Sequence, residues 1–243
     1  LKAQAPSDDF ALRSSLGTVL AYVETGDQRL DSVSHAGLAG LSMILNQRTA
    51  VEAGDPMGVD LERDEIAFFP LLYWPLGEQQ KPLTQHAVDK LNRFLANGGM
   101  ILFDTGDRET GDLGDSGAGV LRQVARSLRI PPLMQVPPGH VLTKSFYLMQ
   151  EFPGRWAGGG LWVEAAAGRA KDGVSSVIIG GNSWAAAWAL DDQGRPRFPV
   201  VPGGERQREM AYRFGVNLVM YTLTGNYKSD QVHVPAILER LGQ

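Results

Sequence analysis

The residues best suited to chemistry follow an apolar run in the sequence ILFDTGD, residues 101–107. The triplet Asp104-Thr105-Gly106 is typical of aspartic proteases, in which two carboxylates share one proton across a symmetric interface. This chain contains one such triplet, and a second carboxylate, Asp107, follows on the same loop. A phosphatase-like pair would need carboxylates two positions apart, whereas these are three apart. The spacing therefore argues against both kinds of catalytic carboxylate.

Asp104 also has a structural interpretation. Asp side chains accept hydrogen bonds from backbone N–H groups in turns, and glycine adopts dihedral angles that other residues avoid. We therefore expect Asp104 to stabilise the turn that leaves its strand, with Gly106 in the unusual conformation.

Other catalytic arrangements have weaker support. His140 lies five residues before Ser145, and a Ser–His pair would need Ser145 or Ser183 on a sharp strand-to-helix elbow. The chain has no GxSxG motif, no HExxH motif and no dense cluster of histidines and carboxylates. We predict no metal site and no cofactor. The absence of cysteine excludes thiolate catalysis and disulfides.

Strands and helices alternate in the first half of the chain. Because parallel strands need crossover connections, this order predicts a doubly wound α/β fold with a parallel sheet. Apolar runs predict strands at 18–27, 66–74 and 100–103, and helical periodicity predicts helices after Asp31, between Thr84 and Gly98, and before Pro131.

The second half has a less regular pattern. Residues 161–163 and 177–179 are further apolar runs, and helices are predicted at 205–222 and 236–241. The segment 131–160 has no clean period and is rich in Pro and Gly, so we expect a structured excursion over one edge of the sheet.

The predicted fold places several polar and aromatic residues at the carboxyl ends of strands. Ligands of open α/β sheets bind at those ends, near a point where the strand order reverses. The residues predicted to form a ligand site there are Glu24, Trp74, Asp104, Asp107, Arg108, Asn182 and Trp184.

A separate surface is predicted around the sequence FPGRW, residues 152–156. Pro and Gly interrupt regular structure there, which favours exposure. Flat aromatic rings suit both glycans and protein partners. Arg155 and Trp156 are therefore the predicted partner-binding pair.

Composition limits the remaining possibilities. The formal charge is −4 and no long block of one sign occurs, so nucleic acid is not an expected partner. The longest apolar run, residues 66–76, is too short to cross a bilayer and contains two prolines. We interpret the polar, Pro-bearing residues 1–17 as a linker and residues 18–243 as one domain.

Several phrases resemble an uncharacterised bacterial domain family found at the C-terminus of aerotolerance-type membrane proteins. The most specific are LANGGMILFDT (95–105), SFYLM (145–149) and GVNLVMYTLTG (215–225). The resemblance implies a flavodoxin-like three-layer sandwich similar to class I glutamine amidotransferases. It also implies attachment to the bacterial inner membrane through a preceding region, on an unspecified side.

The chain departs from amidotransferases in its chemistry, because those enzymes need a Cys at a strained elbow and this chain has none. Glutaminase activity is therefore excluded. Our interpretation is a non-catalytic binding or assembly domain whose partners are envelope or membrane proteins, a small ligand or a glycan. The alternative is a hydrolase or a carbohydrate- or small-ligand-binding domain that uses the strand-end pocket.

Overall fold

A computed structural model of the protein describes residues 18–106, 116–165 and 174–241, with the side chains of the last helix described as far as residue 224. The described chain contains strands and α-helices in alternation. The strands are β1 (Ala21–Val23), β2 (Met57–Val59), β3 (Leu71–Pro75), β4 (Met100–Asp104), β5 (Leu133–Gln135), β6 (Trp162–Glu164) and β7 (Val177–Gly180). The α-helices are α1 (Gln28–Arg48), α2 (Gln85–Ala96), α3 (Ser116–Ser127), α4 (Trp184–Trp188) and α5 (Gly204–Leu241).

The strands form one mostly parallel sheet in the order β2-β1-β3-β4-β7-β6-β5. Strands β2, β1, β3, β4 and β7 are parallel, whereas β6 and β5 add an antiparallel edge. The strand order reverses between β1 and β3, because the chain moves outward to β2 and then returns to the other side of β1. The predicted α/β fold is confirmed, and the architecture is compatible with a flavodoxin-like sandwich.

Each face of the sheet has its own hydrophobic core. On one face, Leu41 of α1 and Phe214 of α5 pack with Leu102 of β4. On the other, Leu91 of α2 and Phe103 of β4 belong to the second core. Since successive strand residues point to opposite faces, the apolar β4 supplies both cores.

Local signals place the ends of α2 as the sequence predicts, whereas α1 begins at Gln28, three positions before the predicted start at Asp31. The Asp27 carboxylate accepts hydrogen bonds from the N–H groups of Arg29 (2.9 Å) and Leu30 (3.3 Å), which caps α1. The Thr84 hydroxyl accepts one from Ala87 N–H (3.2 Å) and caps α2. Gly98 has a φ of 97° just after α2, a conformation that glycine adopts without strain.

The strands differ from the prediction in three places: β1 is shorter than the predicted run 18–27, β3 begins later than residue 66, and β2 was not predicted. The second apolar run does not form a strand from residue 66: residues Ile66–Phe68 form a 3-10 helix capped by Glu65, and β3 begins at Leu71. Pro70, which has no N–H to donate, lies just before this strand. Strand β2 was not predicted, because its three residues include Gly58 and form no apolar run.

The segment 131–160 is the predicted excursion at one edge of the sheet. It contributes the edge strand β5 and a short 3-10 helix, Val141–Thr143. Buried Asn217 of α5 fixes this segment: its Nδ2 donates to Leu142 O (2.9 Å) and Tyr147 O (2.8 Å), while its Oδ1 accepts from Tyr147 N–H (2.7 Å).

The two helices predicted at 205–222 and 236–241 are one continuous helix, α5. The sequence between them contains Gly225, Asn226 and Pro235, which disfavour a helix interior, and the helix nevertheless continues through them. None of the helices in the described ranges combines the length and the apolar character needed to span a lipid bilayer.

Candidate functional site

A cavity of about 490 Å³ opens at the carboxyl ends of β3 and β4. It lies where the predicted α/β fold favours a ligand site, and its walls come from α1, the strand ends and two loops. The described residues that line it are Arg29, Leu30, Ser32, Val33, Ser34, Tyr73, Pro75, Leu76, Asp104, Gly106, Arg155, Ser183, Ala186, Arg197 and Phe198.

Ser183 forms a sharp elbow between β7 and α4. Its φ of 53° and ψ of 58° are left-handed, and it is the one non-glycine residue with positive φ among those described. Such a conformation costs energy and persists where the surroundings enforce it. The Oγ is buried and has no hydrogen-bond partner among the described residues. The elbow that a serine nucleophile would need is therefore present without a GxSxG motif.

The buried Asp104 carboxylate, 2% exposed, accepts hydrogen bonds from both sides of the elbow. Its Oδ1 accepts from Ser183 N–H (3.1 Å), and its Oδ2 accepts from Trp184 N–H (2.7 Å). Tyr73 Oη donates to Oδ2 (2.8 Å), and Gly106 N–H donates to Oδ1 (3.3 Å). Asp104 thus joins β3, β4 and the β7–α4 elbow.

Burial raises the pKa of Asp104 to about 6. Removing a carboxylate from water disfavours its charged form. The hydrogen bonds from Trp184, Tyr73, Ser183 and Gly106 act in the opposite direction and lower the pKa, but burial has the larger effect.

Asp104 has the predicted role in the turn, but only one of its four hydrogen bonds belongs to that turn. Gly106 has the expected positive φ, 60°, and its N–H bond to Asp104 is the longest of the four. The shorter bonds reach Tyr73 and the elbow. Sequence spacing does not reveal them, because Ser183 lies 79 positions away.

Three arginines from separate segments line the cavity: Arg29 at the start of α1, Arg155, and Arg197. The guanidinium of Arg155 lies 5.5 Å from the Phe198 ring centroid, and that of Arg197 lies 5.8 Å from it. Asp104 is the one carboxylic acid among the described lining residues. Among the described lining residues, basic side chains therefore outnumber acidic ones.

Asn182 and Trp184 do not line the cavity, although both were predicted to bind a ligand. They are buried, and both hold the loop that carries Arg155: Asn182 Nδ2 donates to Phe152 O (2.9 Å), and Trp184 Nε1 donates to the same oxygen (3.1 Å). Their contacts indicate that they position Arg155.

The pair Arg155 and Trp156 is less exposed than its Pro- and Gly-rich surroundings suggested. Both residues are half-buried, with the Arg155 guanidinium 5.3 Å from the Trp156 ring centroid. The Trp156 N–H donates to Asn182 O (3.2 Å), and Trp156 forms a β-bridge with Val201. Backbone pairing therefore holds this loop against the rest of the domain, and Arg155 lines the cavity.

Two other predicted site residues lie apart from the cavity. Trp74 is fully buried in the second core and its Nε1 donates to Gln80 Oε1 (3.0 Å), because alternation along β3 directs Tyr73 toward the cavity face instead. Glu24 is exposed and lies beside Gly58 of β2. The pKa of Glu24 is raised, first because its carboxyl group is partly withdrawn from water and second because of the charge of Asp31. Asp107 and Arg108 lie outside the described residues.

The His140 and Ser145 pair is not a catalytic arrangement. Ser145 Oγ donates to Asn217 O (2.8 Å), and His140 Nδ1 accepts a hydrogen bond from Leu142 N–H (3.3 Å). Burial lowers the pKa of His140. In the described ranges, no group of three or more His, Cys, Asp or Glu side chains is arranged to hold a metal ion.

Arg208 is a buried residue whose role the sequence did not indicate. Its Nη1 donates to Ala187 O (2.7 Å) and its Nη2 to Phe198 O (2.5 Å), so it ties the Phe198 loop to α4. A second, larger groove of about 1000 Å³ lies beside the 137–153 segment, and Leu148, which is 85% exposed, lies on its wall.

Comparison with known proteins identifies the family to which the chain belongs. A search of curated proteins finds no match. Residues 19–223 match the family described as "Domain of unknown function (DUF4159)", a span that contains every described strand and the first four helices. This protein is therefore a member of that domain family.

Proposed function

We propose that this protein is a non-catalytic ligand-binding domain and that the strand-end cavity is its binding site. The observation that carries the proposal is the position of the Asp104 carboxylate, which occupies the backbone N–H groups of Ser183 and Trp184 while the cavity in front of it stays open.

The argument against catalysis starts from the elbow. Enzymes with a nucleophile at a strand-to-helix elbow use the N–H of the next residue to stabilise the oxyanion that forms during acyl transfer. Here that residue is Trp184, and its N–H donates to Asp104 Oδ2 at 2.7 Å. A carboxylate in that position repels a developing oxyanion and leaves it without a donor.

The same elbow supports a finer proposal for the fold. The order of strand, left-handed residue and helix at Ser183 matches the place of the catalytic Cys in class I glutamine amidotransferases. We therefore propose an amidotransferase-like sandwich with Ser183 at that position. In this proposal the domain forms the C-terminal part of an aerotolerance-type protein of the bacterial inner membrane.

The binding role is supported by the cavity itself. A volume of about 490 Å³ falls within the range of small-molecule sites, and its wall contains both polar and apolar residues. The wall is also held firmly, because Asn182 and Trp184 fix one loop and Arg208 fixes the other. Rigid support of this kind preorganises a site for its ligand.

A hydrolase is the second candidate, since Ser183 combines a left-handed backbone with a buried Oγ that has no hydrogen-bond partner among the described residues. A fluorophosphonate probe, which reacts with activated serines, tests it. We expect no labelling. Labelling of the wild-type protein that is lost in Ser183→Ala would establish the hydrolase instead.

Envelope or membrane protein partners remain a proposal as well. The supporting observation is a set of exposed apolar side chains in the 137–153 segment: Val141, Phe146 and Leu148. Leu148→Asp should reduce co-purification of the full-length protein with its membrane partners, and unchanged co-purification would contradict this role.

The binding function is tested by blocking the cavity. Ser32 is exposed on α1 and lines the cavity, so Ser32→Trp should fill it without disturbing the core. Ser127→Trp, on the exposed end of α3, is the matched control. Ligand-observed NMR with a mixed set of small metabolites and short glycans measures binding to each protein.

We expect compounds that bind the wild-type protein and the Ser127→Trp variant but not Ser32→Trp. If no compound binds the wild-type protein, or if binding survives in Ser32→Trp, the cavity is not the binding site.

A further inference from the structure

We propose that the ligand of the strand-end cavity carries a carbonyl-type oxygen, which binds over Gly106 and accepts a hydrogen bond from the Ser183 hydroxyl. Amides, esters, ketones and carboxylates all present such an oxygen. This inference rests on the proposed binding function, and it specifies a contact residue and the chemical group that this residue recognises.

The Ser183 hydroxyl is the first observation. Ser183 lines the cavity and is 6% exposed, and its Oγ has no hydrogen-bond partner among the described residues. Most buried polar side chains are paired, because an unpaired one has lost its hydrogen bonds to water without replacement. A ligand atom that accepts the hydrogen bond of Ser183 would recover this free energy.

Open space beside the hydroxyl is the second observation. Gly106 also lines the cavity. A Cβ on Gly106 would lie 4.0 Å from Ser183 Oγ, and no other described atom beyond its chain neighbours lies within 4 Å of that position. A ligand oxygen about 1 Å nearer to Oγ would therefore be at hydrogen-bond distance. The φ of Gly106, 60°, also disfavours a side chain there, so glycine keeps the space open.

The neighbouring polar groups determine which ligand group fits. Asp104 already accepts hydrogen bonds from the N–H groups of Ser183, Trp184 and Gly106 and from the Tyr73 hydroxyl. A carbonyl oxygen accepts the Ser183 hydrogen and brings no hydrogen of its own. A ligand hydroxyl would bring one, and Asp104, with both oxygens occupied and 2% exposure, is not placed to accept it.

Apolar side chains provide contacts for the rest of the ligand. Leu30 and Val33 of α1, Leu76 after β3 and Phe198 all line the cavity. A small organic molecule gains affinity by burying apolar surface against such side chains. Compounds that join a phenyl ring to a carbonyl group therefore match both parts of the site.

A single introduced thiol can report occupancy, because the chain contains no cysteine. Ser32→Cys places this thiol on the cavity wall, and Ser127→Cys is the control on α3. The rate of alkylation by iodoacetamide is measured over a range of concentrations of phenyl compounds of similar size. Acetophenone, benzamide and benzoate carry a carbonyl-type oxygen, benzyl alcohol carries a hydroxyl, and toluene carries neither.

We expect at least one of the carbonyl compounds to protect Ser32→Cys with an affinity about fivefold higher than that of benzyl alcohol or toluene, the gain expected for one hydrogen bond. Ser127→Cys should not be protected. A preference for benzoate identifies a carboxylate, and a preference for benzamide or acetophenone identifies an uncharged carbonyl group.

Two outcomes would overturn the inference. Benzyl alcohol or toluene could protect as well as the carbonyl compounds, which would exclude recognition of a carbonyl oxygen but keep the cavity as a binding site. The carbonyl compounds could also give no protection. In that case the Ser32→Trp experiment described above decides separately whether the cavity binds a ligand.

The contact residue is tested in the Ser32→Cys protein by adding Ser183→Ala, which removes only the Oγ. The preference for carbonyl compounds should disappear. Ser42→Ala is the matched control and should keep the preference, since Ser42 Oγ is also buried without a partner among the described residues, and Ser42 is not among those that line the cavity. A preference that survives in Ser183→Ala would overturn the role of Ser183.

Thermal denaturation separates this role from a structural one. Neither Ser183 Oγ nor Ser42 Oγ has a hydrogen bond to lose among the described residues, so neither alanine variant should have a lower melting temperature. If Ser183→Ala does not fold, the comparison between compounds in the Ser32→Cys protein still decides whether a carbonyl oxygen is recognised.

Discussion

At the scale of single residues, Asp104 shows how one carboxylate connects several parts of a site. Its two oxygens accept hydrogen bonds from two strand ends and from the elbow. The sequence predicts the hydrogen bond within the turn, since Asp followed by Gly two positions later is a turn signal. The hydrogen bonds from Ser183 and Trp184 could not be predicted, because only the tertiary structure brings these two residues, distant in sequence, next to Asp104.

The first prediction concerns the acceptor capacity of Asp104. An Asn side chain has one acceptor oxygen and a donating NH₂ group, so Asp104→Asn must leave the N–H of Ser183 or Trp184 facing another donor. We expect the free energy of unfolding to fall by about 1–3 kcal/mol, measured by urea denaturation at pH 7. Asp55→Asn, at an exposed position, should change it little. Equal free energies of unfolding for the two variants would show that the hydrogen bonds of Asp104 do not stabilise the fold.

The second prediction concerns pH. The folded state raises the pKa of Asp104 from 3.8 to about 6. Between these values the folded protein binds more protons than the unfolded chain, so the contribution of Asp104 to stability is present below about pH 4 and is lost as the pH rises through 6. The stability difference between the wild-type protein and Asp104→Asn should therefore be larger at pH 4 than at pH 7. A difference that stays constant from pH 4 to pH 7 would contradict the raised pKa.

At the scale of elements, the close packing of α1 on α4 determines where the elbow lies. Gly37 and Gly40 of α1 face the backbone oxygens of Ala185 and Trp188, and a Cβ at either glycine would overlap those atoms. The sequence predicts α1 from its apolar period, but helix periodicity does not show that these two glycines form the contact. The five-residue α4 was not predicted at all, because it is too short to display a period.

The third prediction tests this contact by replacing Gly40, which lies in it, and Gly119, which lies outside it, with alanine. Gly40→Ala should destabilise the protein by more than about 2 kcal/mol, because the new methyl group meets the rigid backbone of α4. Gly119→Ala in α3 meets no atom within 4 Å and should stabilise the protein by about 0.5–1 kcal/mol. Thermal denaturation measures both effects. The contact is less tight than described if the two variants shift the melting temperature in the same direction.

At the scale of the whole molecule, one sheet separates two hydrophobic cores that share its strands. The parallel order could be predicted because strands and helices alternate along the sequence. The antiparallel edge could not, since β5 is three residues of mixed burial within a Pro- and Gly-rich segment. The sequence predicts that a ligand site lies at the strand ends, but it does not predict which residues form the walls of the cavity there. Arg29 and Arg197 reach the site from exposed positions that carry no sequence signal.

The fourth prediction is that the two cores unfold together. Trp74 lies in one core and Trp188 in the other, and both are fully buried. Fluorine NMR of protein labelled with 5-fluorotryptophan reports on each of the five tryptophans, assigned by Trp→Phe variants. Since strands shared by both cores make partial unfolding costly, the Trp74 and Trp188 signals should disappear at the same urea concentration. Separate midpoints would indicate two independently stable layers.

The arrangement at the elbow also bears on how a domain of this fold could gain or lose an anion-binding site. Asp104 sits where the charged oxygen of a reacting substrate would sit, so the chain carries its own internal mimic of a reaction intermediate. A shorter side chain at position 104 would vacate that niche and expose two amide donors beside a serine whose backbone is already strained. If the proposed non-catalytic role is correct, one substitution would therefore turn an elbow whose two N–H groups are already occupied into one whose N–H groups are open to a small oxyanion such as formate.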